Sequence, residues 1–252
     1  MDRLYQRGEV MDPRLNIIDK RFENVQRIIA VSGGKGGIGK SLTASTLALI
    51  LTKQGFRTGL LDLDFCGPSD HVILGIEGVF PEEDKGIIPP EVLGVRFMSI
   101  TYFAGYNPVP LRGGEVSNAI IEMLAITRWN ELDFLIIDMP PGTGDPALDI
   151  IRLIKRVEFL VVTTQSRVAL AVAKKELQVL KELGVPVAGV LENMRRKEHS
   201  TVKEELSSCK VPFLGSILFD DNLEDALGDP RELLKTDFAA KLERIVKADL
   251  IQ

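Results

Sequence analysis

The chain has 252 residues, 45% of them hydrophobic and 27% charged, the balance of an ordinary globular protein rather than a disordered or fibrous one. Its net charge is −5, with 31 Lys and Arg interleaved among 36 Asp and Glu, so it lacks the basic stripe that duplex nucleic acid demands. The longest apolar run is six residues, Val168 to Ala173, far short of the roughly 20 that cross a bilayer, and the first residues form no apolar signal segment. Cytoplasmic residence is the expectation, with neither nucleic acid nor membrane as partner.

Residues 1–26 are polar, with Pro13 as a breaker and no clear period, and read as an N-terminal arm; residues 27–252 read as one domain. From Arg27 onward, short β-branched runs alternate with longer helical patterns, the order of parallel βαβ units. The strands predicted are Ile28–Ser32, Thr58–Asp62, Val95–Ile100, Phe134–Asp138, Phe159–Thr164, Val187–Leu191 and Phe213–Ile217. Several are apolar throughout, as strands covered on both faces must be. Leu42 to Gln54 and Val168 to Leu183 carry apolar residues at helical spacing, with Gly55 and Gly184 as stops. Gly75 to Pro110 is rich in Gly and Pro and reads mostly as loop. The fold class expected is α/β, a doubly wound and mostly parallel sheet flanked by helices.

After the first strand comes Gly33-Gly34-Lys35-Gly36-Gly37-Ile38-Gly39-Lys40-Ser41-Leu42, which satisfies G-x-x-x-x-G-K-[ST] from Gly34 to Ser41. Strand, loop and helix occur together as a phosphate-binding loop requires. Glycines let successive backbone N–H groups turn toward phosphates, Lys40 reaches the β and γ oxygens, and Ser41 offers a hydroxyl to Mg²⁺. Lys35 is a second lysine inside the loop: either it is solvated, or at a dimer face it reaches the phosphates of the opposite subunit as a finger supplied in trans. Asp138 ends an apolar strand where a Walker B acid belongs, and Asp62 and Asp64 end another.

The loop Lys35-Gly36-Gly37-Ile38-Gly39-Lys40-Ser41 resembles the deviant Walker A motif of the MinD/ParA-like ATPases, and longer stretches are similar to the Mrp/NBP35 branch. They are Leu61 to Ser69, Leu111 to Gly114, Trp129 to Asp133 and Asp138 to Asp145. The resemblance covers roughly Arg27 to Asp229 and implies a P-loop ATPase that uses ATP, ADP and Mg²⁺ and dimerises face to face on ATP. It implies that Asp64 orients or deprotonates the attacking water, that Asp62 sits near the metal, and that the Asn193 amide reads the adenine edge. Lys35, Lys40 and Asp64 are then the catalytic candidates, and Ser41, Asp62 and Asp138 the metal candidates. Pro140 to Asp145 reads as a switch loop with Gly142 and Gly144 as hinges.

The resemblance also has gaps. Such scaffolds usually carry C-x-x-C shortly after the Asn-Met pair, whereas Asn193 to His199 holds no cysteine, and the chain's two cysteines, Cys66 and Cys209, lie far apart. Cys66 reads as a small buried residue, a reactive thiol or a ligand shared across a dimer. His71 and His199 are single, without ligand spacing. Thr163 to Ser166 departs from the family's Thr-Thr-Pro-Gln, and Phe80, Phe103 and Tyr106 are either partner anchors or buried. The stretch Met11 to Asp19 looks like the Mrp/MinD-type HypB of archaeal NiFe-hydrogenase maturation. The leading expectation is therefore a nucleotide-switched ATPase that regulates a HypA-like nickel metallochaperone. The alternatives are an Mrp-type iron–sulfur carrier using Cys66 or Cys209 across a dimer, and a nucleotide-binding module that hydrolyses little.

Overall fold

A computed structural model describes residues 12–104, 113–142, 144–196 and 199–251. The strands, in chain order, are β1 (Val25–Ser32), β2 (Thr58–Asp62), β3 (Glu82–Glu83), β4 (Ile87–Ile88), β5 (Glu91–Val92), β6 (Val95–Ser99), β7 (Leu132–Asp138), β8 (Val157–Thr163), β9 (Val187–Arg195) and β10 (Phe213–Leu218). The α-helices are α1 (Pro13–Phe22), α2 (Lys40–Lys53), α3 (Asp70–Ile73), α4 (Thr101–Ala104), α5 (Gly114–Ile126), α6 (Asp145–Leu153), α7 (Arg167–Glu182), α8 (Val202–Leu206), α9 (Pro230–Leu233) and α10 (Asp237–Ile245).

Eight strands form one sheet in the order β10-β9-β8-β1-β7-β2-β6-β5, parallel throughout except for the short β5. Alternation along each strand builds two apolar layers. Ile28 and Ala30 of β1 face the layer under α1, α5, α6 and α7, while Ile29 and Val31 face the layer under α2 and α10. This is the doubly wound arrangement the sequence predicts, and each of the seven predicted strands overlaps an observed one.

α2 is buried along most of its length, so it reads as apolar without a face, and it stops where Gly55 takes φ +91°. α7 buries Ala169, Leu170, Ala173, Leu177 and Leu180. Before residue 27, where no period is evident, the structure holds α1. The Asp12 side chain accepts from the Arg14 N–H, Pro13 takes the first turn, and Ile18 and Phe22 are buried one turn apart, each worth about 1.5–3 kcal/mol of burial. The Gly/Pro-rich stretch carries β3 to β6, with β3 and β4 pairing as an antiparallel hairpin. Among the described residues, no helix is long and apolar enough to cross a membrane.

Candidate functional site

In a sheet of this order the strands flanking β1 diverge to either side, and the crevice at their carboxyl ends is where ligands bind. The loop from Gly33 to Gly39 lies there. Close packing dictates its glycines: a Cβ on Gly34 would fall 1.9 Å from Val172 Cγ1 of α7, and one on Gly39, at φ +84°, 2.3 Å from Asn193 Nδ2. Added at Gly36 or Gly37, a Cβ meets nothing within 4 Å, which leaves that side of the loop open to a ligand. Gly39 caps α2 without a side-chain hydrogen bond, so the first N–H groups of a 14-residue helix stay available to an anion. Lys40 is buried, Ser41 and Leu42 are half-buried, and Lys35 is exposed. A recess of about 390 Å³ runs from Lys35 to Ile38 across to Gln165 and Met194.

Three carboxylates converge behind the loop. Oxygens of Asp62, Asp70 and Asp138 all lie within 4.8 Å of one another, and each residue is 0% exposed. Asp62 Oδ1 accepts from the Asp64 N–H at 3.0 Å and Oδ2 from Ser99 Oγ at 3.4 Å. Neither oxygen of Asp138 meets a donor at ordinary hydrogen-bond geometry. Burial pushes the Asp138 carboxyl up to about 7, against the pull of the Ser41 hydroxyl and the Lys40 ammonium. Burial, and then the Asp138 charge, also lifts Asp62 well above the ordinary carboxylate range. Such a group of acids either stays protonated or takes a cation, and oxygen donors suit a hard one such as Mg²⁺. The residues present therefore fit a nucleotide-bound Mg²⁺.

Asp64 is half-buried at the mouth, its Oδ1 accepting from the Gly67 N–H at 3.2 Å. The loop after β7 is tied back to β1 through Met139 N–H on Val31 O and to the glycine loop through Gly142 N–H on Gly33 O; Thr143 lies outside the described residues. Asn193 is buried and donates from Nδ2 to Ile38 O at 3.0 Å, which ties its amide to the P-loop and leaves a second N–H and the Oδ1 acceptor on the same group. The segment where C-x-x-C is expected is fastened by other means. Gln165 Oε1 accepts from the Arg196 N–H, and Ser200 Oγ donates to Glu192; Lys197 and Glu198 lie outside the described residues.

Cys66 is exposed, which corrects its reading as a small buried residue, and Cys209 is half-buried against one apolar layer. Phe80 and Phe103 are exposed, while Tyr106 lies outside the described residues. Three acids escape sequence reading. Asp70 comes from the short α3 that folds back onto α2, where Ser45 Oγ donates to its Oδ1 at 2.6 Å. Glu176 is buried on α7 near Ser32 and Lys40, and burial raises its pKa. Glu192 is buried within β9.

Sequence and structure comparisons add relatives to this geometry. The sequence model of the family described as ParA, NUBPL iron-transfer P-loop NTPase, matches residues 24–248. An iron–sulfur cluster carrier protein of Pseudomonas fragi is 44% identical over 175 residues, 68% of this chain and 61% of that one. The Aquifex aeolicus carrier is 41% identical over 69% of this chain and 49% of its own. This chain thus spans about half to three-fifths of the length of these bacterial relatives. A cytosolic Fe-S cluster assembly factor of Drosophila erecta, a Nubp2 homolog, is 40% identical, covering 84% of this chain and 90% of that one. Among solved structures, a nucleotide-binding protein of Archaeoglobus fulgidus, in complex with ADP and with cobalt found in it, superposes with a TM-score of 0.74. It is 31% identical and covers 87% of this chain and 92% of that one. MinD of Pyrococcus horikoshii, at 19% identity and a TM-score of 0.67 over 90% of this chain and 97% of its own, shares the fold. These relatives overturn the expectation of a nickel role in NiFe-hydrogenase maturation with a HypA-like metallochaperone as partner. The resembling proteins carry or assemble iron–sulfur clusters, and the family is one of iron transfer.

Proposed function

Because this chain belongs to the ParA family of NUBPL-type iron-transfer P-loop NTPases, we propose that it is an ATP-switched carrier or assembly factor for iron–sulfur clusters. The observation that carries the nucleotide half is the donorless, fully buried Asp138 carboxylate behind an open glycine loop. The ADP held by the Archaeoglobus fulgidus protein supports nucleotide as the ligand, and the names of the relatives support the cluster as cargo.

In this reading, loop N–H groups and the α2 N-terminus bind the β- and γ-phosphates, and Lys40 offsets their charge. Ser41, Asp62 and Asp138 hold Mg²⁺, which when bound screens the charge developing at the γ-phosphoryl group. Asp64, at the mouth, orients the attacking water. Asn193 supports the loop from beneath through Ile38. Lys35, exposed on the open side of the loop, reaches the phosphates of a second copy. Lys35→Ala then lowers ATP-driven dimerisation and turnover and leaves nucleotide binding by the monomer intact; a variant whose dimer and rate match the parent would end the trans role.

Cys66 suits the cargo better than Cys209. It is exposed two residues beyond Asp64, at the same sheet edge as the nucleotide, whereas Cys209 packs against the core. Two copies meeting at that edge supply two of the four thiolates that a cluster usually takes, leaving two positions for a recipient. Anaerobic loading with ferrous iron and sulfide, with and without Mg·ATP, tests this. Cluster absorbance and transfer to an apo-ferredoxin should survive Cys209→Ser and vanish in Cys66→Ser. No cluster on the parent protein, or one indifferent to Cys66→Ser, would reject the cargo assignment.

A further inference from the structure

Asp70 belongs to none of the motifs used above, yet it is as buried as Asp62 and Asp138 and shares their pocket. Ser45 Oγ donates to Asp70 Oδ1 at 2.6 Å, which fixes the carboxylate, while Oδ2 is buried with no donor. Opposite it stands Asp138, 0% exposed, with neither oxygen partnered and one of them within 4.8 Å of both neighbouring acids. Native proteins seldom leave a buried carboxylate wholly without donors, so this side chain itself points to a ligand. From these residues we propose that Asp62, Asp70 and Asp138 form a divalent-cation site complete within the chain, able to take Mg²⁺ or Mn²⁺ before any nucleotide arrives.

Three converging oxygen donors in a fixed frame select a hard ion, with water filling the remaining positions. A softer metal would want nitrogen or sulfur, and neither cysteine belongs to this group of ligands. The proposal deepens the reading of Ser41, Asp62 and Asp138 as the metal side of a nucleotide site and rests on it. What it adds is Asp70 as a ligand and independence from the nucleotide.

The test is Mn²⁺ binding to nucleotide-free protein, followed by the loss of the free-ion electron paramagnetic signal, together with separate Mg·ATP titrations. The parent protein should bind one Mn²⁺, and Asp70→Asn, which keeps the shape and can still accept from Ser45, should weaken it more than about ten-fold. Ser45→Ala, which removes no ligand but frees the Asp70 carboxylate, should weaken it by about ten-fold and serves if Asp70→Asn does not fold. Asp84→Asn, on the exposed hairpin turn, is the control and should change nothing. Absence of Mn²⁺ binding without nucleotide, or equal affinity in the parent and both variants, overturns the site. If Mg·ATP also fails to bind the parent, the nucleotide reading falls with it; if Mg·ATP binds normally, only the Asp70 proposal falls.

Discussion

Glu192 lies within β9 and Asp138 ends β7 of the same sheet, both 0% exposed, and the fold treats them in opposite ways. Glu192 Oε1 accepts from Ser200 Oγ at 2.6 Å and Oε2 from Ser216 Oγ at 2.5 Å, so both oxygens are satisfied from within the chain. Asp138 has no donor on either oxygen. A buried carboxylate with hydroxyls on both sides fastens structure; one left open in a pocket of other acids waits for something the chain does not contain. Burial alone therefore separates neither role, and the hydrogen-bond inventory does.

The largest effect expected from this contrast is at Glu192. Glu192→Ala removes two hydrogen bonds to a carboxylate, strands two hydroxyls and frees the segment before α8, a loss of about 3–5 kcal/mol in urea unfolding. A loss below about 1 kcal/mol would break the contrast from its structural side. Asp138→Asn should do the reverse: nucleotide-free stability is unchanged or raised, because an acid that resists ionisation is replaced by a neutral amide. Mg·ATP affinity should fall more than about ten-fold, or 1.4 kcal/mol, with nucleotide binding in excess chelator unaffected. If Asp138→Asn instead unfolds the protein as Glu192→Ala does, Asp138 is structural too. Asn193→Ala, which loses the bond to Ile38 O, should cost about 1 kcal/mol and loosen nucleotide binding a few-fold.

The layers of the fold are legible in the sequence because β-branched runs and helical spacing are local signals. The central strands β1, β2, β7 and β8 are buried nearly throughout between helices that the chain supplies in alternation. The loop from Gly34 to Ser41 is legible for a similar reason, since its glycines, Lys40 and Ser41 act within one turn of chain. α1 escapes because its apolar residues are few, although Asp12-Pro13 followed by Ile18 and Phe22 one turn apart is a helix start with a buried edge. Asp70 escapes for a deeper reason: nothing near it in sequence says that α3 folds back onto Ser45 and brings it beside Asp138. The exposure of Cys66 is likewise tertiary, since a free cysteine in an apolar neighbourhood is more often buried.

Glu176 offers the finest test, because it stands between the two extremes and was within reach of periodicity alone. It follows Ala169 and Ala173 on the stripe of α7 that continues to Leu180, so a charged residue falls on a buried face. Its Oε2 has no donor, as in Asp138, but Ser32 and Lys40 lie near enough to pull its pKa down against the larger effect of burial. In the unfolded chain Glu176 gives up its proton near 4.5, and in the fold it keeps it to higher pH. The folded state thus binds more protons above 4.5, and stability drains away as pH rises through the raised value. Glu176→Gln, neutral at every pH, should unfold at a higher temperature than the parent at pH 8, with the gain shrinking as pH approaches 4.5. A variant less stable than the parent at pH 8 would mean that Glu176 is ionised and held by Lys40. It would then belong with Glu192 among the fastened acids, and P-loop phosphates would have to compete with it for the lysine.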